Sequence, residues 1–410
     1  MSRRVLVTGL GCVTPLGDLA STWSALVAGR SGVTRLTCMD PSPYQTKVAG
    51  QIGDFDPGRH LPARDVMVTS RCVQLAVAAT RMAIADAGLA PGRPDPRRTG
   101  VYIGTSIGPL GLAMEQHAVF LEKGIGRVHP MAPVQNYPGV VASYVATLMG
   151  FNGPAITVST ACTSGMDALG IAMSQIQTGA VDCAIVGASE APLFPVLFAA
   201  FDRLGLMTRW RGDPGRACRP FAGDRDGIVL SEGAAICVLE AEETAASRQA
   251  TGLAEVAGFG ATCDAYHPLQ QLPGGEEAAR AMTIALETGR SSPDDVDYVS
   301  AHGTGTPQND RIETLVVKVA LGARARVVPV SSIKSMTGHL MGASGALEVL
   351  AAVKTLTEGI IPPTINLDIS DSECDLDYVA NVSRRVPVRT ILSNTFGFGS
   401  RNASVLLKAV

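Results

Sequence analysis

Aromatic residues make up only 5% of this 410-residue chain, and charged residues only 17%. The sparse charge is evenly divided, 34 Lys+Arg against 37 Asp+Glu for a net charge of -3, and no run of one sign forms the basic stripe that nucleic-acid binding requires. Long apolar runs are also missing. The longest, residues 180–201, is broken by Asp182, Glu190, Pro192 and Pro195, so no membrane span is expected. Arg3 and Arg4 run straight into a short Val-rich stretch, without the longer apolar region and cleavage site of a secretory signal, and a cytoplasmic location is expected. The 9 cysteines are odd in number and lack paired spacings, which argues against a disulfide framework and fits reduced thiols in a cytosolic enzyme.

What is present is a chain that is 46% hydrophobic, with 44 Gly and 25 Pro, long enough for roughly two to three domain-sized cores. Short Val/Ile-rich runs alternate with Ala-rich segments of helical length, the rhythm of an α/β protein. Residues 5–8, 101–104, 156–159, 183–187 and 235–239 read as strands, with helices over 75–87 and 166–178. The second half repeats the habit, with strands at 256–260, 297–300, 328–331 and 403–408 and helices at 276–287, 312–321 and 343–358. A faint echo supports two similar halves: residues 83–88 lead to the strand at 101, and residues 281–289 lead to the strand at 297, each through a polar loop. The spacing is too long for a solenoid repeat. We therefore expect one half over residues 1–249 and another over 250–410, with the active site in the cleft between them. Gly9-Leu10-Gly11 after the first strand suggests a dinucleotide fingerprint, but Thr14 stands where its third glycine belongs.

Cys162 lies among small residues, Ser159-Thr160-Ala161-Cys162-Thr163-Ser164-Gly165, where a strand ends and a helix begins. Backbone N–H groups and the helix dipole at such a turn favour a thiolate, so a lowered thiol pKa is expected. Cys183 and Cys237, inside apolar runs, read as inert core thiols. Two of only 6 histidines fall in Gly/Thr-rich segments, His302 in Ala301-His302-Gly303-Thr304-Gly305-Thr306 and His339 in Thr337-Gly338-His339-Leu340. Helix N-terminal surroundings disfavour imidazolium, which suits neutral rings donating N–H bonds to a developing oxyanion. Zinc is the rival, yet neither histidine has a carboxylate or Cys at ligand spacing. Lys334 and Glu348 read as an ion pair, on the surface if composition alone decides. Asn394-Thr395-Phe396-Gly397-Phe398-Gly399-Ser400 places Phe398 between glycines, as a flexible gate or an ordinary turn.

The ordered set Cys162, His302, Lys334, His339 and Phe398 resembles the β-ketoacyl-acyl-carrier-protein synthases of the thiolase superfamily. The likeness extends over essentially the whole chain, through Arg219-Pro220-Phe221, Arg225-Asp226-Gly227 and Pro362-Pro363-Thr364-Ile365-Asn366-Leu367. It implies a five-layered αβαβα fold and a ping-pong decarboxylative condensation, with the first half carrying the nucleophile and the second the His/Lys/His set and the gate. By resemblance, Cys162 is the nucleophile, and the backbone N–H groups of Cys162 and Phe398 form the oxyanion hole. His302 and His339 stabilise the malonyl-thioester enolate, while Lys334, partnered by Glu348, orients a histidine. Thr304 and Thr306 hold the carrier's pantetheine arm, and Ile107 lines the acyl pocket. No cofactor is implied beyond the phosphopantetheine of acyl carrier protein.

Within the family, Gln308-Asn309-Asp310-Arg311 and residues 373–378 resemble the ketosynthase subunit of type II polyketide synthases, whereas Ala161 and Asn394-Thr395-Phe396 lean toward fatty-acid elongation. The mixture suggests a polyene-like product. The resemblance implies a heterodimer with a chain-length-factor-like subunit, or a homodimer; a fatty-acid 3-oxoacyl synthase and a non-catalytic assembly subunit are the alternatives. A thiolase is set aside because Cys374 lacks the glycines expected around a second catalytic cysteine. Two departures stand out: Ser400-Arg401 after Gly399, where the family usually has Gly-Thr, and Pro268 after His267, where Met-Thr is common.

Overall fold

The structure, a computed structural model, describes residues 3–90, 92 and 94–410. Its first strand, Val5–Val13, is buried along its whole length. Two glycines in it are required by close approach: a Cβ on Gly9 would lie 2.5 Å from the carbonyl oxygen of Ala83, and one on Gly11 would lie 2.2 Å from that of Ala79. Both contacts come from the helix Arg71–Asp86, whose Ser70 side chain caps it by accepting from the Val73 N–H. The same device recurs in strand Ala254–Cys263. There, a Cβ on Gly258 or Gly260 would lie 2.1 Å from the carbonyl of Ala285 or Ala281, on the helix Glu276–Thr288. Gly9 and Gly11 thus seat a helix on a strand and form no dinucleotide loop.

From the centre outward, the first half-sheet runs Val5–Val13, Gly233–Ala241, Cys183–Glu190, Thr99–Gly104 and Ala155–Val158. Its pairings are antiparallel, antiparallel, parallel and parallel. The second runs Ala254–Cys263, Arg401–Lys408, Thr390–Gly397, Tyr298–Ser300 and Val330–Ser331, with the same order of pairings. The two meet at a narrow seam, where only Leu6 opposite Glu255 and Val7 opposite Ala254 are in register.

Helices Ser164–Gln177 and Ser344–Glu358 lie between the half-sheets and share one apolar core with both. Every residue from Ser344 to Val353 in the second of these is buried, as a helix segment covered on all sides requires. The outer faces are covered by Arg71–Asp86 with Val140–Met149 on one side and by Glu276–Thr288 with Pro307–Leu321 on the other. This is the five-layered αβαβα arrangement of two similar halves. Among the described residues, no helix is long and apolar enough to cross a membrane.

The sequence reading lacks the strand Thr390–Gly397 and takes its end, Asn394–Phe396, as gate or turn. The strand lies in the middle of its half-sheet, and its buried Thr390, Ser393, Asn394 and Thr395 hide it from an apolar pattern. Neighbouring side chains satisfy two of these polar groups: the Ser404 hydroxyl donates to Asn394 Oδ1 at 2.8 Å, and Thr395 donates to Glu348 Oε2 at 3.2 Å. Helices Leu110–Lys123, Val140–Met149 and Pro195–Arg203 are likewise additional to the sequence reading.

Candidate active site at the junction of the halves

Cys162 occupies a turn between strand Ala155–Val158 and helix Ser164–Gln177. Ala161 before it has φ +56°, a left-handed conformation that costs an L-residue about 1–2 kcal/mol. Four hydroxyl groups anchor the turn. The Ser164 and Ser106 hydroxyls donate to the Ala161 carbonyl at 2.6 and 2.8 Å, and the Thr160 and Thr163 hydroxyls donate to Asp167 at 2.5 and 2.7 Å. Ala161→Gly relieves the strain, and we expect it to raise stability by about 1 kcal/mol, read from the urea midpoint; an unchanged or lower midpoint would show that the turn is unstrained.

Cys162 is 8% exposed. Burial pushes its thiol pKa up to about 11, against the lowering influence of the Lys334 ammonium and a hydrogen bond from the Phe398 backbone N–H. The expected lowering by the helix terminus is therefore overturned: desolvation in a closed site outweighs it, and the resting group is a thiol. Gly397 permits the approach of the gate, since a Cβ there would lie 3.1 Å from the Cys162 backbone nitrogen. The backbone N–H groups of Cys162 and Phe398 thus belong to segments in direct contact. Phe398 stacks on Phe201 with ring centroids 6.3 Å apart.

The two histidine rings meet edge to face with centroids 5.4 Å apart, and both are buried. Lys334 Nζ lies 3.2 Å from His302 Nδ1, and the Met341 backbone N–H donates to His339 Nδ1 at 2.9 Å. An ammonium and a peptide N–H can only donate, so each Nδ1 accepts and each proton sits on Nε2. Burial and the Lys334 charge hold both pKa values well below 6.5, so the rings are neutral. Ligand atoms of Cys162, His302 and His339 fall within 4.8 Å of one another, a convergence in space that spacing along the chain does not reveal. The donor set nonetheless does not fit a metal: with Nδ1 engaged, the free ring nitrogen of each histidine carries hydrogen, making a pair of donors and not of ligands.

Lys334 is 1% exposed and so is Glu348, and the two form an ion pair in the core, not on the surface. Lys334 Nζ also donates to the His302 carbonyl at 2.6 Å, while Thr395 donates to Glu348 Oε2 at 3.2 Å. Sequence reasoning misses two further acids. Glu313 accepts the backbone N–H groups of His302 and Gly303, each at 2.7 Å, and burial raises its pKa to about 7. Asp310, one turn earlier on helix Pro307–Leu321, accepts from the Phe221 N–H at 2.7 Å and the Gly305 N–H at 3.2 Å. Two acids three residues apart on a buried helix are the signal that could have found them. The first half braces both histidine loops: the Gly227 N–H donates to the Gly305 carbonyl at 3.0 Å, and the His339 N–H to that of Val229 at 2.7 Å.

Cys162, His302, His339, Thr304, Thr306 and Phe398 line one cavity of about 270 Å³. The Thr304 and Thr306 hydroxyls lie 2.9 Å apart on its wall. Ile107 packs outside this wall, in an apolar cluster with Phe201, Met341 and Phe398. The two sequence departures touch each other. Ser400, at φ +62°, donates to the His267 carbonyl at 2.9 Å, and the Gly399 N–H donates to that of Pro268 at 2.8 Å, so the segment after Phe398 is tied to the 264–268 loop.

Comparison with known proteins agrees with this geometry. The profile of the beta-ketoacyl synthase N-terminal domain matches residues 2–245, and that of the C-terminal domain matches residues 253–368. The chain is 42% identical to the tetracenomycin polyketide synthase ketoacyl synthase alpha subunit of Streptomyces glaucescens, over 99% of this chain and 97% of that one. It is 40% identical to 3-oxoacyl-[acyl-carrier-protein] synthase 2 of Synechocystis sp., covering 99% and 98%. A solved structure of the ishigamide ketosynthase/chain length factor superposes with a TM-score of 0.93 at 35% identity, covering 100% of both chains. With a thiol and two N–H-donating imidazoles facing one cavity between thiolase-like halves, this chain belongs to the β-ketoacyl synthase family of acyl-transferring condensing enzymes.

Proposed function

We propose that this protein is the catalytic ketosynthase subunit of a type II polyketide synthase, acting in the cytoplasm on chains carried by the phosphopantetheine of acyl carrier protein. The half over residues 1–249 supplies the nucleophile, and the half over 250–410 supplies the histidines, lysine and gate. One observation carries the reading: the Cys162 thiol and two neutral imidazoles with their protons on Nε2 converge within 4.8 Å.

In the first step, Cys162 Sγ attacks the thioester carbonyl of the acyl-carrier protein. The backbone N–H groups of Cys162 and Phe398 receive the oxyanion, the carrier's C–S bond breaks, and the thiol proton leaves with the carrier sulfur. Malonyl-carrier protein then enters along Thr304 and Thr306. Its carboxylate carbon–carbon bond breaks with loss of CO2, and the enolate oxygen accepts from Nε2–H of His302 and of His339. The enolate carbon bonds to the Cys162 thioester carbonyl, the C–S bond breaks, and the released thiolate takes one proton from solvent. Lys334 acts through His302, fixing its tautomer, and Glu348 balances the lysine charge. Ile107 shapes the acyl pocket reached when Phe398 moves aside.

The partner surface we assign to a chain-length-factor-like subunit is the free edge strand Ala155–Val158 with the helix Leu110–Lys123, which buries none of its residues. Phe120, Leu121, Ile125, Val134 and Ile156 are exposed across this region, large apolar side chains beside an unpaired strand edge that a partner would cover.

The test is intact-protein mass spectrometry after acyl-carrier protein and then malonyl-carrier protein, alone and with the partner subunit. Wild type acquires an acyl adduct that malonyl-carrier protein discharges. His339→Ala acquires the adduct but retains it, with discharge slowed by roughly a hundredfold or more. Discharge by His339→Ala at the wild-type rate would remove His339 from the condensation. A preference for saturated fatty-acyl chains without a partner would favour the alternative of a homodimeric fatty-acid 3-oxoacyl synthase.

A further inference from the structure

Glu190 ends strand Cys183–Glu190 and is fully buried, yet among the described residues no cation pairs with it. Its carboxylate is instead surrounded by hydrogen-bond donors from two segments, residues 105–107 and Gly342. Thr105 Oγ1 donates to it at 2.9 Å, the Ser106 N–H at 2.6 Å, the Ile107 N–H at 3.3 Å and the Gly342 N–H at 3.1 Å. Gly342 must be glycine for this contact, because a Cβ there would lie 2.8 Å from Glu190 Oε2 and 2.7 Å from the Ser106 nitrogen.

Each segment leads to a reacting group. Ser106 donates through its hydroxyl to the Ala161 carbonyl, which sets the turn that presents Cys162. Gly342 follows Met341, whose N–H fixes the His339 tautomer. One buried anion therefore spans the nucleophile of the first half and a histidine of the second, at a point where no covalent connection joins them. Removing an acceptor from this position leaves up to three peptide N–H groups unsatisfied, and these are the groups that orient the two loops.

We propose that Glu190 is a positioning residue for the condensation step, holding the His339 loop and the Cys162 turn in one frame so that the Nε2–H of His339 meets the enolate. The inference rests on the roles assigned above to Cys162 and His339. A displacement of about 1 Å at a reacting group costs of the order of a hundredfold in rate, so loosening one of two loops is expected to slow the step that needs both more than the step that needs only the thiol.

The experiment compares wild type, Glu190→Gln, Glu190→Asp and His339→Ala by the same two-stage mass measurement, with nitrogen NMR of labelled histidine reporting the tautomer. Glu190→Gln is expected to acylate within about threefold of wild type but to discharge the acyl group at least about tenfold more slowly, with the single Nε2–H signal of His339 giving way to a mixture; Glu190→Asp recovers part of both. Thiol alkylation supplies an independent reading. Lys334, Glu348 and Glu190 are the charged groups that act on Cys162, and the neutral glutamine variant moves the alkylation midpoint to lower pH. Wild-type discharge by Glu190→Gln, or slow discharge with the His339 signal unchanged, would overturn the proposal. Normal discharge by His339→Ala would instead overturn the reading beneath it. If Glu190→Gln does not fold, Thr105→Val, which removes one donor and keeps the carboxylate, is expected to show the same split on a smaller scale, and an unsplit loss would refute the proposal.

Discussion

Cys162→Ala forms no acyl adduct with any acyl-carrier protein, while its denaturation midpoint stays within about 1 kcal/mol of wild type. The substitution removes one buried sulfur and little volume. The helix that follows, the left-handed Ala161 and the hydroxyls on its carbonyl all stay in place, so the loss is chemical and not structural. An adduct on Cys162→Ala would place the nucleophile elsewhere. In the wild type, the pKa of about 11 means that alkylation by iodoacetamide climbs with pH, close to tenfold per unit through the alkaline range below that value. A plateau beginning near pH 7 would show that a thiolate is already present in the resting enzyme. A protonated resting thiol also gives the acylation step its proton: the hydrogen lost by sulfur is the one that the departing carrier requires.

Lys334→Met is expected to be the most damaging change outside the nucleophile. It strands the Glu348 carboxylate in the core, and breaking a buried pair in this way costs about 3–5 kcal/mol. It also removes the donor that fixes His302 Nδ1, so the ring is free to shift its proton away from the enolate. The two effects separate in the double variant Lys334→Met with Glu348→Leu. Replacing both charges with apolar groups recovers most of the stability and none of the condensation, because His302 still lacks its donor. Recovery of condensation in the double variant would assign Lys334 a structural role alone. Stability is checked by denaturant titration and condensation by the discharge of acyl-Cys162.

Much of this arrangement is legible in the sequence, and the exceptions have physical reasons. Cys162, His302 and His339 stand out because scarce chemical residues sit among Gly, Ser and Thr, where strands end and backbone N–H groups are free. Their tautomers do not, since those depend on Lys334 and on the Met341 N–H, which meet the rings only after folding. Lys334 and Glu348 look like surface residues to any composition rule, and only the five-layer stack puts them in the core. Glu190 is visible merely as an interruption of an apolar stretch, because its partners are mostly peptide N–H groups, which every residue type but proline supplies. The strand Thr390–Gly397 escapes for the opposite reason: it is central but rich in hydroxyls and amide, so hydropathy gives it no contrast.

The paired glycines leave a mark that could be seen without coordinates. Gly9 and Gly11 face backbone carbonyls of one helix as Gly258 and Gly260 face those of another, and no side chain fits at any of the four positions. A saturation-mutagenesis survey would therefore show two narrow bands of near-total intolerance, each spaced glycine-residue-glycine and each far from the chemistry. Their likeness would show in fitness data that the two half-sheets each seat an outer helix by the same backbone-to-backbone contact.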